Sequence, residues 1–194
     1  EAESIVLEFF RKKSEQYNLG PLKKTMPGIK LNIEENIIKE IYPSVKTANI
    51  RGNTGSHQGV LAIAAVIYDT LPETKEWLDF IFQPGGLVYD SQIKSYKVTG
   101  GNILVDLVNS VDRDGQGTEA SPNYNSIWLN YYYKVADVLQ GYDKYREADL
   151  FQNVKFRAML YGQFPALLSN KYTANEGDAF FTGNPGTVMR TFIY

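Results

Sequence analysis

Residues 114–125 read Asp114-Gly115-Gln116-Gly117-Thr118-Glu119-Ala120-Ser121-Pro122-Asn123-Tyr124-Asn125, and they divide a loop from a helix. From Asp112 to Ser121 the composition is that of turns and loops. Ser121 then marks a helix start, because its hydroxyl can accept from a backbone N–H that the first helical turn leaves without a partner. Pro122 suits the next position, where its missing N–H costs nothing. The pattern predicts a helix to about Leu139, ahead of Gly141. Within it Tyr131, Tyr132 and Tyr133 cannot share one face, so at least one belongs to the core and another can line a groove.

Working outward, the chain reads as helices separated by Gly, Asn, Asp and Pro. Residues 1–18 carry Ile5, Val6, Phe9 and Phe10 as an apolar stripe and stop at Gly20-Pro21. Residues 32–42 form a second candidate. After the loop Arg51-Gly52-Asn53-Thr54-Gly55-Ser56, the run from His57 to Asp69 is apolar on nearly every side, which predicts a buried helix. Pro72 opens a helix over Glu73 to Phe82, and Pro84-Gly85-Gly86 stops it. Residues 87–98 fit short strands or loop, Ile103 to Val108 starts a helix, and 147–162 is another. Residues 169–194 are rich in Gly, Asn and Thr. Serial helices of this length fit an all-α bundle or an α/α toroid, and periodicity does not choose between them.

Composition narrows the chemistry. The 194 residues can bury a single core, and 43% apolar with 22% charged residues is ordinary for a globular domain. A net charge of −2 gives no global argument for nucleic acid or an anionic membrane. With no cysteine there are no disulfides, thiolate metal ligands or thiol nucleophiles. No apolar run reaches the length of a membrane span. His57 is the lone histidine, so a two-histidine metal site cannot come from this chain. Asp112-Arg113-Asp114-Gly115 superficially matches a calcium loop, but the twelfth position is Asn123 instead of Glu. Neither a metal nor a cofactor is expected. Fourteen Tyr, ten Phe and two Trp suit packing between helices, and equally suit the C–H faces and hydroxyls of sugar rings.

Two segments resemble the heparinase II/III-like polysaccharide lyases. Asp114-Gly115 followed by Glu119-Ala120-Ser121-Pro122-Asn123-Tyr124 is similar to the family's Asp-Gly and Glu-x-Ser-Pro-x-Tyr. Asn125 stands where the family often has His. Asn53-Thr54-Gly55-Ser56-His57-Gln58-Gly59 resembles the family's upstream Asn/His segment, and Glu176-Gly177-Asp178 echoes a later Gly-Asp. The resemblance implies an incomplete (α/α) toroid of helical hairpins over residues 1–194. It further implies a piece of a longer secreted or periplasmic enzyme that lacks a C-terminal β-rich domain. The start at Glu1 without Met fits a processed or cut chain. It also implies β-elimination on a uronic-acid-containing polysaccharide, with Tyr124 and His57 catalytic. Asn53, Arg51, Gln58, Glu119 and Asn125 would contact substrate.

The chemistry asks for such residues. Removing the C5 proton of a uronate requires neutralising the adjacent carboxylate, for which Asn53, His57 and Arg51 are suitable types. A base takes that proton and an acid protonates the departing oxygen. A phenol ionises near pH 10 and is a poor base unless a helix N-terminus or a cation favours its anion. Two other readings stay open. One is a glycoside hydrolase using carboxylates among Asp112, Asp114 and Glu119. The other is a non-catalytic glycan-binding or scaffold domain.

Overall fold

The computed structural model describes Glu8, residues 25–52, 55–119, 121–146 and 149–162, and the isolated positions 164, 167–168, 172–173 and 177. The helix expected over 1–18 therefore lies outside the described residues, apart from Glu8, which is helical. So do Asn53 and most of residues 169–194.

Thr25 caps α1 (Met26–Ile33) by accepting from the Gly28 N–H at 3.3 Å, with Pro27 in the first turn. A π-helical segment, Glu34–Ile38, continues into α2 (Lys39–Lys46). The second helix thus begins well before residue 32. Gly55, in the left-handed region at φ +89°, opens α3 (Ser56–Tyr68), and Asp69 ends it at φ +48°. Next come α4 (Glu73–Phe82), the hairpin β1 (Leu87–Asp90) and β2 (Ser95–Val98), and α5 (Ile103–Ser110). Ser121 caps α6 (Pro122–Leu139) as its sequence implies, its hydroxyl accepting from the Tyr124 N–H at 3.5 Å. The last helix starts later than 147. Asp149 first caps a 3₁₀ turn, Leu150–Gln152, and α7 follows at Val154–Gly162.

The architecture is mostly helical, but it is neither all-α nor a toroid of helical hairpins. In place of a ring, α3 sits centrally, packed against α2, α4 and α6. Two antiparallel ladders interrupt the helices: β1 with β2, in register from Leu87↔Val98 to Asp90↔Ser95, and Leu167–Leu168 with Tyr172–Thr173. The hairpin forms because Val88, Tyr89, Tyr96 and Val98 favour the pleated backbone, while Lys94 at φ +51° closes the turn. Tyr89 and Tyr96 face each other edge to face at 5.4 Å, and Lys97 pairs with Asp90 at 2.6 Å. Only Val98 roots the hairpin in the core; Leu87, Val88, Tyr89, Ile93 and Tyr96 are exposed.

The core runs from Leu61, Ala62 and Ala65 of α3 through Leu78 and Ile81 of α4. It continues through Ile103 and Leu107 of α5, Leu129, Tyr132 and Val135 of α6, and Phe156 of α7. α3 is buried along most of its surface, yet Val60 and Ile67 are 38% and 63% exposed, so one flank faces outward. Gly55 and Gly59 let α3 approach α6. A Cβ on Gly55 would lie 2.8 Å from the Tyr131 Cβ, and one on Gly59 3.3 Å from the Tyr131 carbonyl.

The loop ahead of α6 is fastened from three sides. Val111 bridges Gly117, and the Asp112 N–H donates to the Gln116 carbonyl at 2.8 Å. The Asn125 carbonyl accepts from the Gly117 N–H at 2.7 Å, and its amide donates to the Gln116 side chain. Gln116 in turn donates to the Gly162 carbonyl at the end of α7, and Lys155 donates to the Val111 carbonyl. Gly115 sits at φ +85°, where an added Cβ would collide with the Ala158 carbonyl. Gly115→Ala should therefore destabilise the protein by about 2–4 kcal/mol, combining backbone strain with a clash against α7. Gly141→Ala, at φ +77° with open space around it, should cost about 1 kcal/mol. Urea unfolding of the two variants separates these outcomes.

Candidate functional site

The two residues at the centre of the resemblance occupy the first turns of helices that pack on each other. Tyr124 is the third residue of α6 and half-buried, held there by the Ser121 cap and Pro122. His57 is the second residue of α3. One turn along α3, from Gly55 to Gly59, the neighbour on α6 shifts from Tyr131 and Tyr132 to Tyr131 and Lys134. The two helices therefore point the same way at this crossing, and their N-termini face one end of the molecule. Tyr124 precedes Tyr131 by seven residues, so α6 projects past the crossing by about 10 Å. The phenol and the imidazole are not hydrogen-bonded to each other, because neither imidazole nitrogen has a hydrogen-bond partner.

Both nitrogens of His57 are buried, and burial holds the imidazole below its ordinary value. A neutral ring keeps one nitrogen as acceptor and the other as donor, the state a general base needs. Arg51 is exposed four residues ahead of Gly55. Gln58 and Asn125, expected to touch substrate, are buried and hydrogen-bonded within the fold, Gln58 to backbone and Asn125 to both backbone and the Gln116 side chain. Gln58 is 3% exposed and donates to the Gly101 carbonyl at 2.6 Å, joining α3 to the start of α5. Asn125 is 2% exposed and fastens the loop at Gln116 and Gly117. Glu119, Asp112 and Asp114 are exposed, and Asp114 caps its own turn by accepting from the Gln116 N–H at 3.1 Å.

One further residue carries no local sequence signal. Tyr132 is 1% exposed, its ring lies against Gly55 at the start of α3, and its hydroxyl has no partner. Burial, and then the charge of Asp106 at the start of α5, push that phenol well above its usual range, so it stays a neutral donor. Burial also raises Asp106, opposed by the Asn102 amide that donates to it at 2.8 Å. The sequence marks Tyr132 only as one of three consecutive tyrosines; which one turns inward depends on the packing of α3.

Two clefts lie elsewhere. One, of about 430 Å³, surrounds the C-terminal end of α6 near Gln140, Tyr142 and Arg146. The other, of about 510 Å³, lies between Tyr42 of α2 and Lys75, Glu76 and Asp79 of α4. Neither is lined by Tyr124 or His57. Among the described residues no cluster of His, Asp and Glu could hold a metal ion, and no helix is long and apolar enough to cross a membrane. No family model, curated protein or solved structure matches the chain.

The buried imidazole gives a pH dependence of defined sign. The unfolded chain takes up a proton near pH 6.5 while the folded one resists it, so this contribution to stability is full above pH 6.5 and is lost as pH falls below it. His57→Gln should flatten the melting temperature between pH 7 and 5.5 relative to the parent. As the lone histidine, its ring proton resonance should titrate below pH 6.5; titration above that value would contradict the burial described here.

Proposed function

We propose that the chain carries the proton-transfer centre of a polysaccharide lyase, which cleaves a uronic-acid-containing glycan by β-elimination. The observation that carries this reading is Tyr124 in the first turn of a capped 18-residue helix, at the end of the molecule that also bears His57. The N-terminal end of α6 presents partial positive charge, which favours a phenolate over a phenol. The capped backbone and the fastened loop behind it hold the ring's attachment point in place, which is the ordering that a proton-transfer residue requires.

In the proposed reaction the base withdraws the proton from C5 of the uronate. The electron pair of that C–H bond becomes the C4–C5 double bond, and the bond from C4 to the glycosidic oxygen breaks. The departing oxygen accepts a proton, leaving a new hydroxyl end and a 4,5-unsaturated uronate end. Tyr124 can perform both transfers where the proton and the leaving oxygen lie on one face of the sugar. His57, neutral and second in α3, serves as base for the opposite C5 epimer, with Arg51 supplying positive charge toward the carboxylate. The substrate is an acidic polysaccharide, and a secreted or periplasmic setting suits a polymer of that size.

The test is turnover on a panel of uronate polysaccharides, followed by ultraviolet absorbance of the unsaturated product. Tyr124→Phe should lower kcat by at least about 100-fold with its melting temperature unchanged. His57→Gln should lose activity preferentially on polymers of one C5 configuration. New reducing ends without absorbance, and a silent Tyr124→Phe, would replace the lyase by a hydrolase.

A further inference from the structure

The cleft at the C-terminal end of α6 stands apart from the residues proposed for proton transfer. Leu139, which lines it, is about 22 Å along the helix axis from Tyr124. Its volume of about 430 Å³ is that of a small-molecule site. The floor is apolar, with Leu139 and Leu150 buried and Phe151 half-buried. The rim is polar and exposed, formed by Gln140, Asp143, Arg146, Asp149 and Gln152. The helix sets the charge here as much as the side chains do. An α-helix carries partial negative charge at its C-terminus, which basic residues commonly offset. The last turn of the 18-residue α6 holds Asp137 and no basic residue. On the rim, two carboxylates stand against one guanidinium. Two neighbouring lysines are committed elsewhere. Lys144 donates to Asp69 at 2.6 Å, and Lys75, over the Tyr145 ring at 5.4 Å, pairs with Asp79 at 2.8 Å.

We propose that this cleft binds a small primary amine carrying an apolar body. The ammonium donates to Asp143, Asp149 and the amide oxygens of the rim, beside the negative end of α6, and the body covers Leu139, Leu150 and Phe151. Asp149 accepts from the Phe151 N–H at 2.9 Å through one oxygen, and its second oxygen can accept from the ligand. A primary amine fits better than a quaternary one. The rim supplies hydrogen-bond acceptors, whereas the ring face that a quaternary cation seeks is engaged: Tyr145 stacks on Phe82 at 5.9 Å and has Lys75 above it. Arg146 is the rim group that opposes a cation, and the two carboxylates together with the helix end outweigh it. The site does not depend on the lyase reading, because it concerns the opposite end of α6 and needs no acidic sugar.

The test is a titration of the full chain, labelled with ¹⁵N, followed by amide chemical shifts. The probes are phenethylamine, its neutral counterpart 2-phenylethanol, its trimethylated ammonium and phenylalanine. Phenethylamine should bind with a Kd of about 1 mM or below, as expected of a ligand of its size. It should shift the amides of Gln140 and Asp149, and bind at least about tenfold more tightly than the alcohol. Asp143→Asn combined with Asp149→Asn keeps the turn at Phe151, since an amide oxygen also accepts, and should reduce the preference to about twofold or less. Gln140→Lys sets an ammonium of the protein's own at the end of α6. It should keep or raise the melting temperature and remove the preference, and it decides the matter should the double variant fail to fold. Equal binding of amine and alcohol, or binding of neither, overturns the proposal. So does a preference that survives in either folded variant, shifts confined to other segments, or tighter binding of the trimethylated ammonium or of phenylalanine.

Discussion

The close approach of α3 to α6 is the contact on which the arrangement depends. It requires Gly55 at φ +89° and Gly59 one turn later, because Tyr131 fills the space any side chain would take at the first position and its carbonyl crowds the second. Apolar burial supplies the driving force, at about 25 cal/mol per Å² removed from water. Small residues decide the distance. With Ala62 and Ala65 also buried, α3 becomes a thin central rod against which α2, α4 and α6 lie. The same contact sets Tyr132 beside the start of α3 and points both helix N-termini in one direction.

A second constraint acts at right angles to the apolar one. Asn125, Gln116 and the Gly162 carbonyl form a relay of side-chain amides that ties the 111–119 loop to α6 and α7. Buried amides of this kind are directional, and a partly satisfied network would be worse than an apolar one. The relay therefore specifies one loop conformation where packing alone would allow several. It also accounts for the buried Asn at the position after Tyr124, which has work in the fold before any in the chemistry.

The range of each interaction decides whether an amino-acid sequence discloses it. The start of α6 was legible because Ser121 and Pro122 act within one helical turn of themselves. α4 was equally clear, between Pro72 and the glycines after Phe82. The early start of α1 was not, since the Thr25 cap precedes a stretch with weak amphipathic spacing. The hairpin at 87–98 stayed ambiguous because its apolar residues are exposed and so leave no alternating burial pattern to read. The expected toroid failed for a related reason: helix lengths are local, whereas their arrangement around α3 depends on glycine contacts between residues some 75 positions apart. Of the site, residue types and helix positions were visible in the sequence. The bond from Gln58 to the Gly101 carbonyl and the inward turn of Tyr132 were not, because each depends on a partner from a distant segment, and the hold of Asn125 on Gln116 and Gly117 was not, because it depends on how the preceding loop folds back.

The hairpin has a colloidal consequence. Two short strands, paired only to each other among the described residues, carry Leu87, Val88, Tyr89, Ile93 and Tyr96 into solvent. Their outer edges present unpaired amides and carbonyls, the geometry through which separate molecules add strand to strand. Lys94 at the tip and the Asp90–Lys97 pair across the ladder place charge where such stacking would have to desolvate it. Any second molecule adding along this edge would have to strip water from Asp90, Lys94 and Lys97, so the hairpin carries its own electrostatic guard.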